Sequence, residues 1–101
     1  MDVFEVTMVI GILTVQFRLH GCRSLKEKRH RLSGLRQKYG RLTHFAVCES
    51  GSQDDHRFGE WSFVAVGSDA GFVTRVLSSL ESELEQDVDA EIIDISVDID
   101  D

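Results

Sequence analysis

The sequence predicts an α+β domain with a four-stranded antiparallel sheet and two helices on one of its faces. Three observations lead there. Two stretches, Met8–His20 and Ala90–Ile99, carry apolar residues at every second position. Two others, starting at Ser24 and Ser68, repeat them at helical spacing. The resulting order of elements is β-α-β-β-α-β. A length of 101 residues suits one modest core, and 42% hydrophobic content is that of a globular chain. Residues 1–7 read as an N-terminal extension ahead of a single domain over residues 8–101.

The first strand, Met8–His20, places Val9, Leu13, Val15, Phe17 and Leu19 on the side that should meet the core. Its other side starts apolar, with Met8, Ile10 and Ile12, and ends polar. Gly21 and Cys22 make a turn. Ser24 and Glu27 have the spacing of a capping box, so a helix starts there. Leu25, Leu32, Leu35 and Tyr39 form its apolar face, and Gly40 stands where a left-handed C-cap is expected. On a helical wheel Lys26, His30, Arg31, Gln37 and Lys38 point away from that face, while Lys28, Arg29 and Arg36 flank it.

Leu42–Cys48 is β-like, and the polar run Glu49–Arg57 reads as a loop or hairpin end. Phe58–Val66 resumes as a strand whose Trp61 and Phe63 belong to the core or to a dimer interface. Ser68 and Asp69 offer caps for the second helix, with Phe72, Val73, Val76, Leu77, Leu80 and Leu84 on its inner face. The last strand should turn Ile93, Ile95, Val97 and Ile99 inward. Two βαβ units with right-handed crossovers put both helices on one face, which is the ferredoxin-like arrangement.

Charge is segregated. The net charge of -7 conceals nine of the 11 basic residues between Arg18 and Arg41, opposed there only by Glu27. After Arg75 no basic residue occurs. A row of cations on an exposed helix can neutralise phosphates; carboxylates of the second helix, Glu81, Glu83 and Glu85, can also answer it within the fold.

Other chemistry is poorly supported. The chain lacks a P-loop, G-x-S-x-G and G-x-G-x-x-G. Arg23 follows the first strand as in ferredoxin-like acylphosphatases, but the asparagine of those enzymes has no counterpart. Asp54, Asp55 and His56 fit turn formers better than an acid–base pair. His20, Cys22, His44, Cys48 and His56 lack the paired spacings of zinc sites, and two cysteines read as reduced thiols. Neither a metal nor another cofactor is expected. Met8–Val15 is too short to span a bilayer and Met1–Thr7 lacks the basic start of a secretory signal, so no membrane association is expected.

The runs Met8-Val9-Ile10-Gly11-Ile12-Leu13 and Arg23-Ser24-Leu25-Lys26-Glu27-Lys28-Arg29, with Glu49, Gln53-Asp54, Val64-Ala65-Val66 and Asp69, resemble the YlxP-like family of small uncharacterised bacterial proteins. The resemblance covers about Met8 to Ile99. It implies a ferredoxin-like fold, a bacterial cytoplasmic setting and gene company with translation and ribosome maturation. The chain departs from the family at Met1–Thr7, at His20-Gly21 in place of a proline-containing turn, and at Asp55-His56 in place of a Leu-Trp pair.

The leading expectation is a non-enzymatic accessory protein that docks on RNA or a ribosomal particle, with Arg23, Lys26, Arg29, His30, Arg31 and Lys38 contacting phosphates. Lys28 and Glu49 would instead pair internally. The alternative is a dimeric module that binds protein or a small ligand and has no nucleic-acid role. Met8, Ile10 and Ile12 form an apolar patch of a kind that monomers rarely expose. A second copy across a two-fold axis would cover it, as would Val3, Phe4 and Val6 of the extension.

Overall fold

The computed structural model describes residues 7–100; Val3, Phe4 and Val6 lie outside the described residues. The elements are β1 (Val9–Arg18), α1 (Leu25–Tyr39), β2 (Phe45–Gly51), β3 (Phe58–Gly67), α2 (Ala70–Asp87) and β4 (Glu91–Asp100). The sheet order is β2-β3-β1-β4 with every neighbouring pair antiparallel. Each βαβ half therefore steps over one strand of the other half, and the fold is the ferredoxin-like sandwich.

Alternation in β1 works as expected: Val9, Leu13, Val15, Phe17 and Leu19 are buried with Trp61, Phe63 and Ala65 of β3. Leu32, Leu35 and Tyr39 of α1 and Val73, Leu77, Leu80 and Leu84 of α2 close the same core. Trp61 and Phe63 are thus core residues. Gly11 lets α2 approach β1 closely: a Cβ there would stand 2.6 Å from Val73 Cγ1 and 2.7 Å from Leu77 Cδ1.

Both helices are capped by the residues their sequences offer. Ser24 Oγ accepts from the Glu27 N–H at 3.0 Å, and the Glu27 carboxylate accepts from the Arg23 N–H at 3.0 Å, one residue ahead of the usual box partner. Asp69 caps α2 through the Phe72 N–H at 2.9 Å. Gly40, in contrast, is not left-handed; its φ and ψ are -68° and -11°. The chain continues in tight turns, with Leu42 N–H bonded to Tyr39 O and Phe45 N–H to Leu42 O. Glycine fits there because a Cβ would lie 2.5 Å from the Arg36 carbonyl oxygen.

Three further expectations are corrected. The second strand is Phe45–Gly51, displaced toward the segment that reads as a loop. Ile93 is exposed, because the β1–β4 register shifts between Gln16 and Phe17 and sets Ile92 opposite Phe17. Val97 pairs with Leu13 but remains exposed on the edge strand.

The sheet's other face divides in two. Thr14, Ser62, Ser50, Glu60 and Gln16 are linked by side-chain hydrogen bonds of 2.7–3.3 Å. Above them Met8, Ile10 and Ile12 lie beside Val64 and Val66, with Asp98 and Asp100 on the β4 side.

Candidate nucleic-acid interface

The apolar stripe of α1 contains a lysine. Lys28, Leu32, Leu35 and Tyr39 recur on one helical face and all four are buried. Lys28 fits because Gly59 lies beneath it: a Cβ on Gly59 would stand 3.6 Å from Lys28 Cε. Lys28 is 2% exposed, and its ammonium donates to Ser52 O at 2.6 Å and Asp55 O at 2.8 Å and stands 3.6 Å from the Glu49 carboxylate. Lys28 therefore ties α1 to the β2–β3 loop, and the expected pairing with Glu49 is present.

The remaining cations divide by flank. On the side facing α2, Arg31 donates through Nε to Asp89 O at 3.0 Å and through Nη1 to His20 O at 2.8 Å, with Asp89 Oδ2 3.2 Å from Nε. Its side chain is 13% exposed and joins the turn after β1 to the turn before β4. It does not point freely outward as the wheel suggests, because the Asp89 turn reaches over it. Lys38 stands 3.0 Å from Glu83 and 3.3 Å from Asp87. Hydrogen bonds from those two carboxylates push its pKa above that of a free lysine. Burial, and then the nearby Glu83, raise the pKa of neighbouring Tyr39.

Elsewhere on the helix and at its start, Arg23, Lys26, Arg29, His30 and Arg36 are exposed, and their side chains have no carboxylate partner among the described residues; of these, Lys26 and His30 point away from the core, whereas Arg29 and Arg36 lie on the flank toward β2. This flank adjoins a cleft of about 300 Å³ lined by Arg29, Ser33 and Arg36 of α1, Glu49 of β2 and Trp61 of β3. Glu49 and Trp61 are cross-strand neighbours in the β2–β3 register. The Arg36 guanidinium lies 5.5 Å from the centre of the indole ring, at cation–π distance. Trp61 is buried, and its Nε1–H finds no acceptor among the described residues. Such an orphan donor is uncommon in a folded protein.

The six residues expected to meet phosphate therefore do not form one surface. Arg23, Lys26, Arg29 and His30 remain available, whereas Arg31 and Lys38 are engaged by carboxylates. The sequence places Arg36 beside the apolar stripe and Trp61 in the core or a dimer interface, but does not show the cleft between them. The signal that could have found it is the exposed arginine one turn after Leu32; the Glu49–Trp61 pairing requires the strand register.

Other candidate groups stay apart. Arg23, Asp54 and His56 line none of the four main clefts. Asp55 bonds Arg57, and that guanidinium holds its carboxyl below the usual range. His20 contacts Glu91 at 2.7 Å, His44 stacks edge-on against Phe72, and Cys22 and Cys48 are free thiols, one buried and one exposed. No three His, Cys, Asp or Glu side chains gather in a metal-binding group among the described residues. None of the described helices is long and apolar enough to cross a membrane.

The family described as protein of unknown function, DUF503, matches residues 10–97, from β1 into β4. No curated protein matches the chain. Among solved structures, a Bacillus cereus protein described as a putative antibiotic biosynthesis monooxygenase is similar at 15% identity. It superposes with a TM-score of 0.43, covering 93% of this chain and 91% of that one.

Proposed function

The chain belongs to the DUF503 family of proteins of unknown function, and we propose that it is a non-enzymatic accessory protein that binds RNA, free or in a ribosomal particle, along the outer flank of α1. The observation that carries this reading is the set Arg23, Lys26, Arg29, His30 and Arg36, exposed and without carboxylate partners among the described residues, of which Arg29 and Arg36 line the cleft at Trp61. Cations so placed displace condensed counterions from a phosphate backbone and bind with little regard to sequence. Arg31 and Lys38, expected to contribute, serve mainly the fold. The YlxP-like resemblance agrees with this reading and supplies a bacterial cytoplasmic setting in the company of translation. The test is co-sedimentation with RNA and with ribosomes across a salt series. Reversal of Lys26 and Arg29 to glutamate should abolish salt-sensitive binding; unchanged binding would refute the proposal.

A second reading is favoured by the open sheet face. Met8 and Ile12 are 52% and 40% exposed beside exposed Val66, and such a patch suits a homodimer built as a protein- or ligand-binding regulatory module. Ile12→Lys should then convert a dimer to a monomer in light scattering. A parent chain that is already monomeric would exclude this reading.

A further inference from the structure

We infer that the α1–β2 cleft takes an unpaired base of single-stranded RNA whose backbone runs along α1 over Arg29 and Arg36, so that the protein selects single strands over duplexes. The inference rests on the reading of the outer flank of α1 as a phosphate-binding surface, and names the form of RNA which that surface fits.

Three features of the cleft lead there. The first is its direction, which follows the helix, since Arg29, Leu32, Ser33 and Arg36 all line it. Arg29 and Arg36 are two turns apart, about 10 Å along the axis. Neither has a carboxylate partner among the described residues. They suit the phosphates on either side of one nucleotide, each held by charge-assisted hydrogen bonds.

The second feature is what lies between the two arginines. Leu32 and Trp61 give the recess an apolar lining, and its volume is about 300 Å³, the low end of small-molecule sites. That is the scale of one base with its sugar. An unpaired base has an apolar face to bury there. A duplex presents the same phosphates, but its bases are already covered by pairing and stacking, so it would bridge the recess and leave the lining bare.

The third feature is the opposite wall, where Glu49 of β2 presents a carboxylate that is 27% exposed and can only accept hydrogen bonds. It repels a phosphate on that side and leaves the backbone on the helix, with the base directed inward. Unpaired bases are commonly stacked on aromatic rings or on arginine planes. The exposed Arg36 holds its guanidinium 5.5 Å from the centre of the indole ring and offers such a plane to a base entering over Leu32. Stacking of this kind tolerates any sequence, because every base has a π-face.

Trp61 is the single tryptophan of the chain, so its emission reports on the cleft. The full-length protein is titrated, across a salt series, with a short RNA strand, with the same strand annealed to its complement, and with inorganic polyphosphate, which carries charge and no base. The single strand should bind about tenfold more tightly than the duplex, the low end of what one stacked base contributes. It should also shift the emission saturably, whereas duplex and polyphosphate should compete for the flank and leave the emission in place. Ser33→Phe, at an exposed position of α1, fills the cleft and should bring strand and duplex to equal affinity at the parent's salt slope. Arg36→Lys, which retains the charge and loses the plane, should weaken the preference in the same direction. Equal binding of strand and duplex by the parent chain would overturn the inference, as would a preference that survives Ser33→Phe or comes without an emission shift. If binding in those cases remains salt-dependent through Lys26 and Arg29, the base site fails and the phosphate-binding reading stands. If neither RNA nor polyphosphate binds, that reading fails and the base site falls with it.

Discussion

Lys28→Met separates the buried charge of α1 from its buried stem. Methionine preserves the length that packs over Gly59 and removes the ammonium. Two loop carbonyls, Ser52 O at 2.6 Å and Asp55 O at 2.8 Å, then lose a charged donor, and Glu49 loses its counter-charge at 3.6 Å. Each charged hydrogen bond contributes about 1.5–3 kcal/mol. Ser52 is exposed and Glu49 is partly wet, so water recovers some of the loss and the low end of that range applies. Relief of the ammonium's own desolvation offsets a further portion. The net cost is about 2–3 kcal/mol, which for a domain of this size lowers Tm by roughly 10–20 °C. Urea denaturation followed by far-UV circular dichroism should show a lower midpoint at an unchanged slope. Coupling to Glu49 should appear in a double-mutant cycle, with Lys28→Met and Glu49→Gln together costing less than their sum by about 1 kcal/mol. A Lys28→Met protein as stable as the parent would refute the role of this lysine as the tie between α1 and the β2–β3 loop.

Two glycines should respond oppositely to alanine. Gly11→Ala drives a methyl into Val73 and Leu77 and should cost about 1–3 kcal/mol, whereas Gly34→Ala, in the middle of α1 with open space around its Cβ position, should stabilise by about 1 kcal/mol in thermal melts. Arg57 keeps the Asp55 pKa below its ordinary 3.8, so the associated stability is fully present above about pH 4 and is lost as pH falls through the lowered folded value. Asp55→Asn should therefore give a shallower fall of Tm with acidification below that pH, read by scanning calorimetry. In RNA binding, Lys26→Ala and Arg29→Ala should each reduce the log–log salt slope by about 0.7, one single-strand phosphate contact apiece. Lys38→Ala should leave that slope unchanged, because Glu83 and Asp87 already hold its charge.

The parts of the fold that depend on local rules were legible in the residues. Period-two burial in β1, the Ser24–Glu27 capping interaction and the Asp69 cap each need only neighbours within one element. Features that depend on register were not. The edge strand β2 reads as β-like over Leu42–Cys48, but its end at Glu49, Ser50 and Gly51 is too polar and turn-rich to separate from a loop by composition. The Ile93 irregularity arises from a shift against β1, which no property of Ile93 announces. Lys28 reads as a flanking cation because the carbonyls that receive it lie 24 and 27 residues away. The candidate site was legible to the same degree. The excess of positive charge on the first helix is plain in the chain, whereas its division into a neutralised and an open flank depends on where Asp89, Glu83 and Asp87 come to rest.

That division is what the proposed RNA reading requires of an acidic protein. Carboxylates of α2 and of the turn before β4 meet Arg31 and Lys38, and Asp94, Asp98 and Asp100 lie along β4 at the far edge of the sheet. A polyanion approaching from that side is repelled, while the flank of α1 toward β2 keeps its cations. On the proposed reading, the distribution of charge would orient the approach of a polyanion that the net charge of -7 opposes at long range. Because sheet order places β2 at the edge opposite β4, the favoured direction is the one that leads over Arg29 and Arg36 to Trp61.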